Sequence, residues 1–221
     1  LKIVVLTGAG ISAESGISTF RDSNGLWENH NIEEIATPWG WEMNPDLVLE
    51  FYNQRRRQLH EVTPNLAHYA LAELEKHHDV VVITQNVDDL HERAGSTNII
   101  HLHGELLKAR DEVTDDVYDN PGDINLGDFS PNGHQLRPHI VWFYEPVPLL
   151  DKAVDEVRNA DHLVVIGTSL VVYPAASLLF FTPPDCKITI IDKSIPETAI
   201  KVDSLEGSAC EKVPQFVNSI I

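Results

Sequence analysis

The sequence predicts an α/β protein, an open parallel sheet with helices on both faces and a small appended lobe, and three observations carry that expectation. Short apolar, β-branched runs recur at Ile3 to Leu6, Val80 to Thr84, Ile99 to Leu102, Ile140 to Phe143, Leu163 to Ile166 and Ile188 to Ile191, as in strands covered on both faces. Helical patterns alternate with several of them, the layout of parallel strands joined by crossovers. The first run breaks into Gly8-Ala9-Gly10-Ile11-Ser12-Ala13-Glu14, a glycine turn expected to resume as a helix.

That turn reads G-x-G-x-x-A. Gly8 suits a tight turn, Gly10 lets backbone approach a pyrophosphate, and small Ala13 lets helix and strand pack closely, which together make a dinucleotide-binding fingerprint. A hydride-transferring dehydrogenase would place a second strand, ending in a ribose-binding acid, about 20 residues later. No strand-like run occurs between Arg21 and Pro64. The segment holds helical pieces instead, the clearest from Pro45 to His60, with Asn44 as its cap. A second interruption, Leu107 to Pro138, carries Asp111, Glu112, Asp115, Asp116, Asp119, Asp123 and Asp128 among Gly, Pro and Asn. It reads as a solvated acidic loop whose spacing does not match an EF-hand. The main unit is therefore expected over residues 1–30, 64–106 and 137–221, and the lobe over 31–63 and 107–136.

A chain of 221 residues is long enough to bury a sizeable core. Sixteen basic against 34 acidic side chains give a net charge of −18, which argues against nonspecific nucleic-acid binding or attachment to an anionic membrane and favours basic segments as protein partners. No apolar run of about 18 residues and no basic-then-apolar leader is present. Leu1 already sits in strand-forming sequence, so residues before it are expected. The two cysteines, Cys186 and Cys210, lack C-x-x-C spacing. That excludes a cysteine-based zinc site and a disulfide framework and suits a reducing cytosol; a monomer is expected.

Polar residues gather where the predicted strands end, the edge at which open α/β sheets bind ligands. Gln85-Asn86-Val87-Asp88 reads as a ribose or carboxamide pocket, or as a turn with local hydrogen bonds. His101 and His103, two apart on a strand, share a face, so a paired metal site, a general base at His103 and a satisfied core histidine at His101 are all open readings. Gly167-Thr168-Ser169 is an anion-accepting turn or an ordinary cap, and Pro174 starts a helix. Asp192 accepts from ribose hydroxyls or ends a strand.

Taken in order, GAGISAESGI, TFRD, TQNVD, LHG, RPHIVWF and GTSLVVYPAA resemble the sirtuin family of NAD-dependent protein deacylases over essentially the whole chain. The resemblance implies a Rossmann-like domain with a lobe made of two insertions, NAD as co-substrate, and acylated protein lysines as partners. By position it assigns Gly8, Ala9, Gly10, Ser12, Glu14, Phe20 and Arg21 to the NAD loop, and Gln85, Asn86, Val87 and Asp88 to the nicotinamide-ribose pocket. His103 becomes the catalytic base, with Asn86 beside it in catalysis. Gly167, Thr168, Ser169, Asp192, Ala209 and Cys210 match contacts to phosphates, adenine ribose and adenine. Val141, Trp142 and Phe143 match the segment that pairs with a substrate peptide by adding a strand. The implied products are free lysine, nicotinamide and acyl-ADP-ribose. The competing functions are an ADP-ribosyl transferase or NAD glycohydrolase with the same pocket, and a nucleotide-sensing module without turnover.

Tyr52 and Arg55, three apart on the predicted helix, share a face. They resemble the Y-x-x-R signature of the class preferring succinyl-, malonyl- or glutaryl-lysine, with Ala36 leaving room for a longer acyl chain. A guanidinium beside a phenol suits a distal carboxylate, although Arg55, Arg56 and Arg57 also read as a solvated basic triplet. Two departures stand out. The second insertion lacks the family's usual zinc cysteines, so no structural zinc is expected, and Tyr144 stands where the family usually has glycine.

Overall fold

In the computed structural model, residues 1–18 and 26–221 are described. The chain runs β1 (Lys2–Thr7), β2 (Leu26–Trp27), β3 (His30–Asn31), α1 (Ile32–Ile35), α2 (Pro38–Met43), α3 (Pro45–Glu61) and α4 (Leu66–Leu74). It continues through β4 (Asp79–Thr84), α5 (Leu90–Ala94), β5 (Ile99–His101), β6 (Gly104–Asp111), β7 (Val117–Asp119) and β8 (Leu136–Ile140). Then come α6 (Leu150–Arg158), β9 (His162–Ile166), β10 (Lys187–Asp192), β11 (Asp203–Glu206) and α7 (Ala209–Asn218).

Six strands form one parallel sheet in the order β11-β10-β9-β1-β4-β5. Alternation along β1 sorts its side chains onto two faces. Val4 and Leu6 pack with Ala153, Val154 and Val157 of α6, whereas Ile3 and Val5 pack with Leu71 and Leu74 of α4 and Val213, Phe216 and Val217 of α7. Both faces are covered, which is why these strands are continuously apolar in sequence. The chain leaves β1 to β4 on one side and returns through β9 on the other, so the strand order reverses beside β1. A crevice opens at such a switch point, outside the carboxyl ends of the strands.

The remaining elements build the lobe: α1 to α3 and an antiparallel sheet in the order β7-β6-β8. Asn44 caps α3 by accepting from the Leu47 N–H, with Pro45 at the first helical position, as its sequence demands. The buried face of α3, including Val48, Phe51, Tyr52 and Leu59, packs with Leu106, Ile140 and Trp142. Its other side grips the acidic insertion. The Asn53 amide donates to the Ile124 carbonyl and accepts from its N–H, both at 2.9 Å, Arg57 pairs with Asp123, and His60 donates to the Pro121 carbonyl.

Several expectations are corrected. The glycine turn does not resume as an α-helix; it forms two single 3₁₀ turns, Ala9–Ile11 and Ala13–Ser15, because closely spaced Gly and Ser are poor helix formers. Ile140 to Phe143 is not a strand of the parallel sheet: only Ile140 is in a ladder, at the end of antiparallel β8. The segment from Ala175 is a 3₁₀ helix, Ala175–Phe181, preceded by Pro174. Among the described residues from Leu26 to Pro64 there is one hairpin of two-residue strands, β2–β3, and β11 is an edge strand whose polar sequence gives no apolar signal.

The acidic insertion is not uniformly solvated either. Asp111 is fully buried, and its carboxylate accepts from the Val113 and Thr114 N–H groups on one oxygen and from the Ser130 hydroxyl and His134 Nδ1 on the other. Burial alone would raise its pKa, but these donors outweigh it and hold the carboxyl well below the usual carboxylate range. Four groups from two separate loops thus converge on one side chain. Among the described residues, no helix is long and apolar enough to cross a membrane.

A carboxyl with a depressed folded pKa adds stability above its unfolded pKa and loses it as pH falls toward the folded value. Thermal melts should therefore show wild type losing stability on acidification through the carboxylate range. Asp111→Asn should lower the melting temperature at pH 7 by several degrees, roughly what losing a charge-assisted hub costs, and remove part of the acid dependence.

Candidate active site

A cleft of about 550 Å³ lies at the switch point, between the strand-end loops and the lobe. Its floor is set by a backbone contact. A Cβ on Gly10 would lie 2.6 Å from the Gly167 Cα, and one on Gly8 would lie 2.7 Å from the Gly167 carbonyl oxygen, so the loops after β1 and β9 touch without side chains between them. The Gly10 N–H donates to the Gly167 carbonyl at 2.8 Å. Gly10 is thus required by its neighbour loop, whatever it also offers a ligand.

From β4 the chain delivers Gln85, Asn86 and Asp88. The Asn86 amide nitrogen donates to the Gly8 carbonyl at 3.0 Å and to the Ser12 hydroxyl at 3.3 Å, which leaves the amide oxygen as the group it can offer a ligand. Ser12 donates to Asp88 at 2.9 Å, and the Leu90 N–H donates to the other carboxylate oxygen. Asp88 is nonetheless buried, and desolvation outweighs these bonds to push its pKa up to about 6. Gln85 donates to Thr168, so the β4 and β9 loops are cross-linked above the glycine contact.

His103 Nδ1 lies 3.1 Å from the Gln85 carbonyl oxygen. A carbonyl only accepts, so the proton sits on Nδ1 and Nε2 is a bare acceptor in the cleft. Burial lowers the pKa of His103, partly opposed by that bond; the ring is a neutral base at pH 7. His101 is placed differently. Its Nδ1 donates to the Asn86 carbonyl and its Nε2 meets Glu92 at 2.6 Å; burial lowers its pKa, but the Glu92 carboxylate reverses the shift. The two imidazoles do not form a metal pair. Among the described residues, His101 gathers only with Glu92 and Glu105.

Ala9, Val87, Ser169, Asp192 and Ala209 also line the cleft. Glu14 and Cys210 do not: the Glu14 carboxylate accepts from the Cys210 N–H at 3.0 Å, bracing the glycine loop against α7. Phe20 and Arg21 lie outside the described residues. On the lobe side, Ala36, Tyr52, Arg55, Val141, Trp142 and Phe143 line the cleft. Trp142 donates through Nε1 to the buried Tyr52 hydroxyl at 3.0 Å. The turn carrying it is fastened by Arg137, which stacks 3.4 Å over the Trp142 ring and forks onto Glu145. The N–H groups of Val141, Trp142 and Phe143 go to His103 O, Glu145 and Ala36 O, so they are not available to an added strand.

Among the described residues lining the cleft, Arg55 carries unsatisfied nitrogens. Its Nε and Nη1 are buried without a hydrogen-bond partner, with the guanidinium 5.0 Å from the Phe51 ring centroid. Burial lowers its pKa, opposed by the Glu28 charge. The sequence reading missed His68, whose Nδ1 accepts from the Asn65 N–H while Nε2 faces Ser12 Oγ at 3.5 Å. A signal existed: Asn65 and His68 form a reciprocal capping box opening α4.

The Sir2 family model matches residues 8–174. The chain belongs to the Sir2 family. It is 62% identical over 192 residues to an NAD-dependent protein deacylase of Helicobacter pylori, covering 86% of this chain and 84% of that one. A Bacteroides thetaiotaomicron protein of the same description is 53% identical and covers 100% and 98%. Among solved structures, a Sir2 homologue in complex with NAD superposes with a TM-score of 0.90 at 41% identity, covering 98% of this chain and 88% of the other. The parallel sheet and three-stranded lobe are thus the Sir2 arrangement, and the chain carries no zinc-binding cysteine set.

Gly10→Ala forces a Cβ onto backbone rather than onto a yielding side chain. Calorimetry should find a clear drop in melting temperature, reflecting the loss of about 1–3 kcal/mol of stability expected for overpacking, together with weakened NAD binding.

Proposed function

We propose that this protein is an NAD-dependent protein-lysine deacylase, and that it prefers acyl groups ending in a carboxylate: succinyl, malonyl or glutaryl. Relatives described as NAD-dependent protein deacylases at up to 62% identity support the first part. The unpartnered Arg55 guanidinium beside Tyr52 carries the second. Two buried guanidinium nitrogens without a hydrogen-bond partner on a half-buried side chain are costly, and a distal carboxylate would satisfy them through charge-assisted hydrogen bonds.

NAD fits the cleft residues. The Gly8–Gly10 loop and the Gly167–Ser169 turn offer backbone where side chains would collide, and Asp192 stands at the end of β10 for ribose hydroxyls. When bound, NAD supplies an activated ribose carbon from which nicotinamide departs. Asn86 Oδ1 and the Asp88 carboxylate accept hydrogen bonds there and orient what lies between them, a positioning effect that reaches several kcal/mol. Nε2 of His103 takes a proton from a ribose hydroxyl so that acyl transfer to the ribose can follow. Trp142, Phe143 and Ala36 wall the channel through which the acyl-lysine enters.

Incubation with NAD and matched acetyl-, succinyl- and glutaryl-lysine peptides, with products identified by mass, tests the reading. Acyl-ADP-ribose is expected; free or protein-bound ADP-ribose without deacylation would refute it. Arg55→Met should cut kcat/KM on succinyl-lysine by about 10-fold or more, the scale of a charge-assisted bond, with a much smaller effect on acetyl-lysine. Equal losses would remove the acyl assignment.

The pH profile offers a separate check. His103 acts as a base when neutral, and its pKa lies below the ordinary imidazole value; Asp88, at about 6, accepts best when ionised. Both must lose a proton, so activity rises with pH, and the acid limb of log kcat/KM should be steeper than one proton. In Asp88→Asn the residual activity should follow a single ionisation.

A further inference from the structure

Beyond the acyl-lysine channel, the mouth of the cleft carries an aromatic and carboxylate cluster that neither the fold nor the reaction requires. Tyr144 has φ of 69°, a left-handed conformation that a bulky L residue adopts only at a steric cost, and yet its side chain is 72% exposed. What it gains there is contact with Trp39, itself 43% exposed: the ring centroids are 4.5 Å apart, tilted by 41°. One carboxylate joins both rings, since Trp39 Nε1 donates to Glu33 Oε2 at 3.0 Å and the Tyr144 hydroxyl lies 3.4 Å from Glu33 Oε1.

The cluster is held rigidly at the rim. Thr37 donates to the Glu33 carbonyl and accepts from the Gly40 N–H, locking the corner between α1 and α2. The Phe143 N–H donates to the Ala36 carbonyl at 3.0 Å, so Tyr144 is one residue beyond a stitch between two walls of the acyl-lysine channel. The surroundings are acidic. From Leu26 to Gln54 the sequence carries six carboxylates and no Lys or Arg, and no Lys or Arg lies between Pro138 and Asp151.

We infer that Trp39, Tyr144 and Glu33 form a second substrate subsite that takes a cationic side chain, Lys or Arg, flanking the modified lysine in the protein substrate. Exposed faces of Trp and Tyr attract cations through the ring quadrupole. Glu33 adds a carboxylate that holds both rings at the rim through Trp39 Nε1 and the Tyr144 hydroxyl. A peptide whose acyl-lysine enters beside Phe143 runs past this rim, so the subsite reads the sequence around the lysine and not the acyl group. The inference rests on the protein-deacylase reading but not on the acyl preference.

The test uses the full chain, NAD and peptides with one acyl-lysine, in which each flanking position in turn is Arg, its neutral isostere citrulline, or Glu. Wild type should favour Arg over citrulline by about 5-fold in kcat/KM at one or two positions, through KM, and reject Glu, with the preference shrinking as salt is raised. In Trp39→Ala and in Glu33→Gln the Arg-to-citrulline ratio should fall to within about 2-fold, and the ratio cancels any general loss of activity or folding. A wild type indifferent to charge, or a preference that survives in both variants, overturns the subsite. No turnover of any peptide would instead overturn the deacylase reading, a separate failure read on the citrulline peptide alone.

Discussion

The loops that follow β1 and β9 meet backbone to backbone, with Gly8 and Gly10 against Gly167 at distances that exclude a single Cβ. The active site hangs from this contact. It fixes the Gly8 carbonyl that receives the Asn86 amide and the Thr168 hydroxyl that receives Gln85, and through the Gln85 carbonyl it fixes the ring of His103. Three strand ends are thereby locked into one polar surface before any ligand arrives. The energetic cost is visible at Asp88, a buried carboxyl whose desolvation outweighs its two hydrogen bonds and the nearby His101. Preorganisation of this kind trades stability for a site that needs no rearrangement to accept charge.

The lobe is organised by α3, which does three jobs on three faces. One face packs the lobe core, one presents Tyr52 and Arg55 to the cleft, and one clamps the acidic insertion through Asn53 and Arg57. The turn after β8 completes the wall opposite the glycine loops. Arg137, Trp142 and Glu145 form a closed set in which a stack, a bidentate ion pair and an N–H to carboxylate bond share three side chains. That set explains why Val141 to Phe143 leaves the ladder although its apolar run reads as a strand.

Much of this was legible in the sequence where one physical term dominates. Strands buried on both faces have to be apolar throughout, and ligand-binding side chains have to follow them, so β1, β4, β9 and β10 and the residues at their ends could be read directly. Asn44-Pro45 announced α3 because capping chemistry is local. What could not be read depends on partners distant in the chain. Whether Gly10 serves a ligand or a neighbouring loop depends on Gly167, and whether Glu14 faces the cleft depends on α7. Asp111 looked like one more solvated acid because its donors, Ser130 and His134, are 19 and 23 residues away. Arg55 and Arg56 differ for the same reason: adjacent in an apparently uniform triplet, Arg56 is buried and bonds the Leu106 carbonyl and Asn53, while Arg55 lines the cleft with Nε and Nη1 unpartnered.

The convergence of two loops on the Asp111 carboxylate also changes what the lobe is sensitive to. A knot tied by thiolates and a metal comes apart when the metal is scarce or the sulfurs are oxidised. The segment from 107 to 136 contains no cysteine, and its loops are gathered by oxygen and nitrogen alone. Oxidative stress and metal limitation therefore leave these ties intact, and the chemical variable to which this insertion answers becomes acidity.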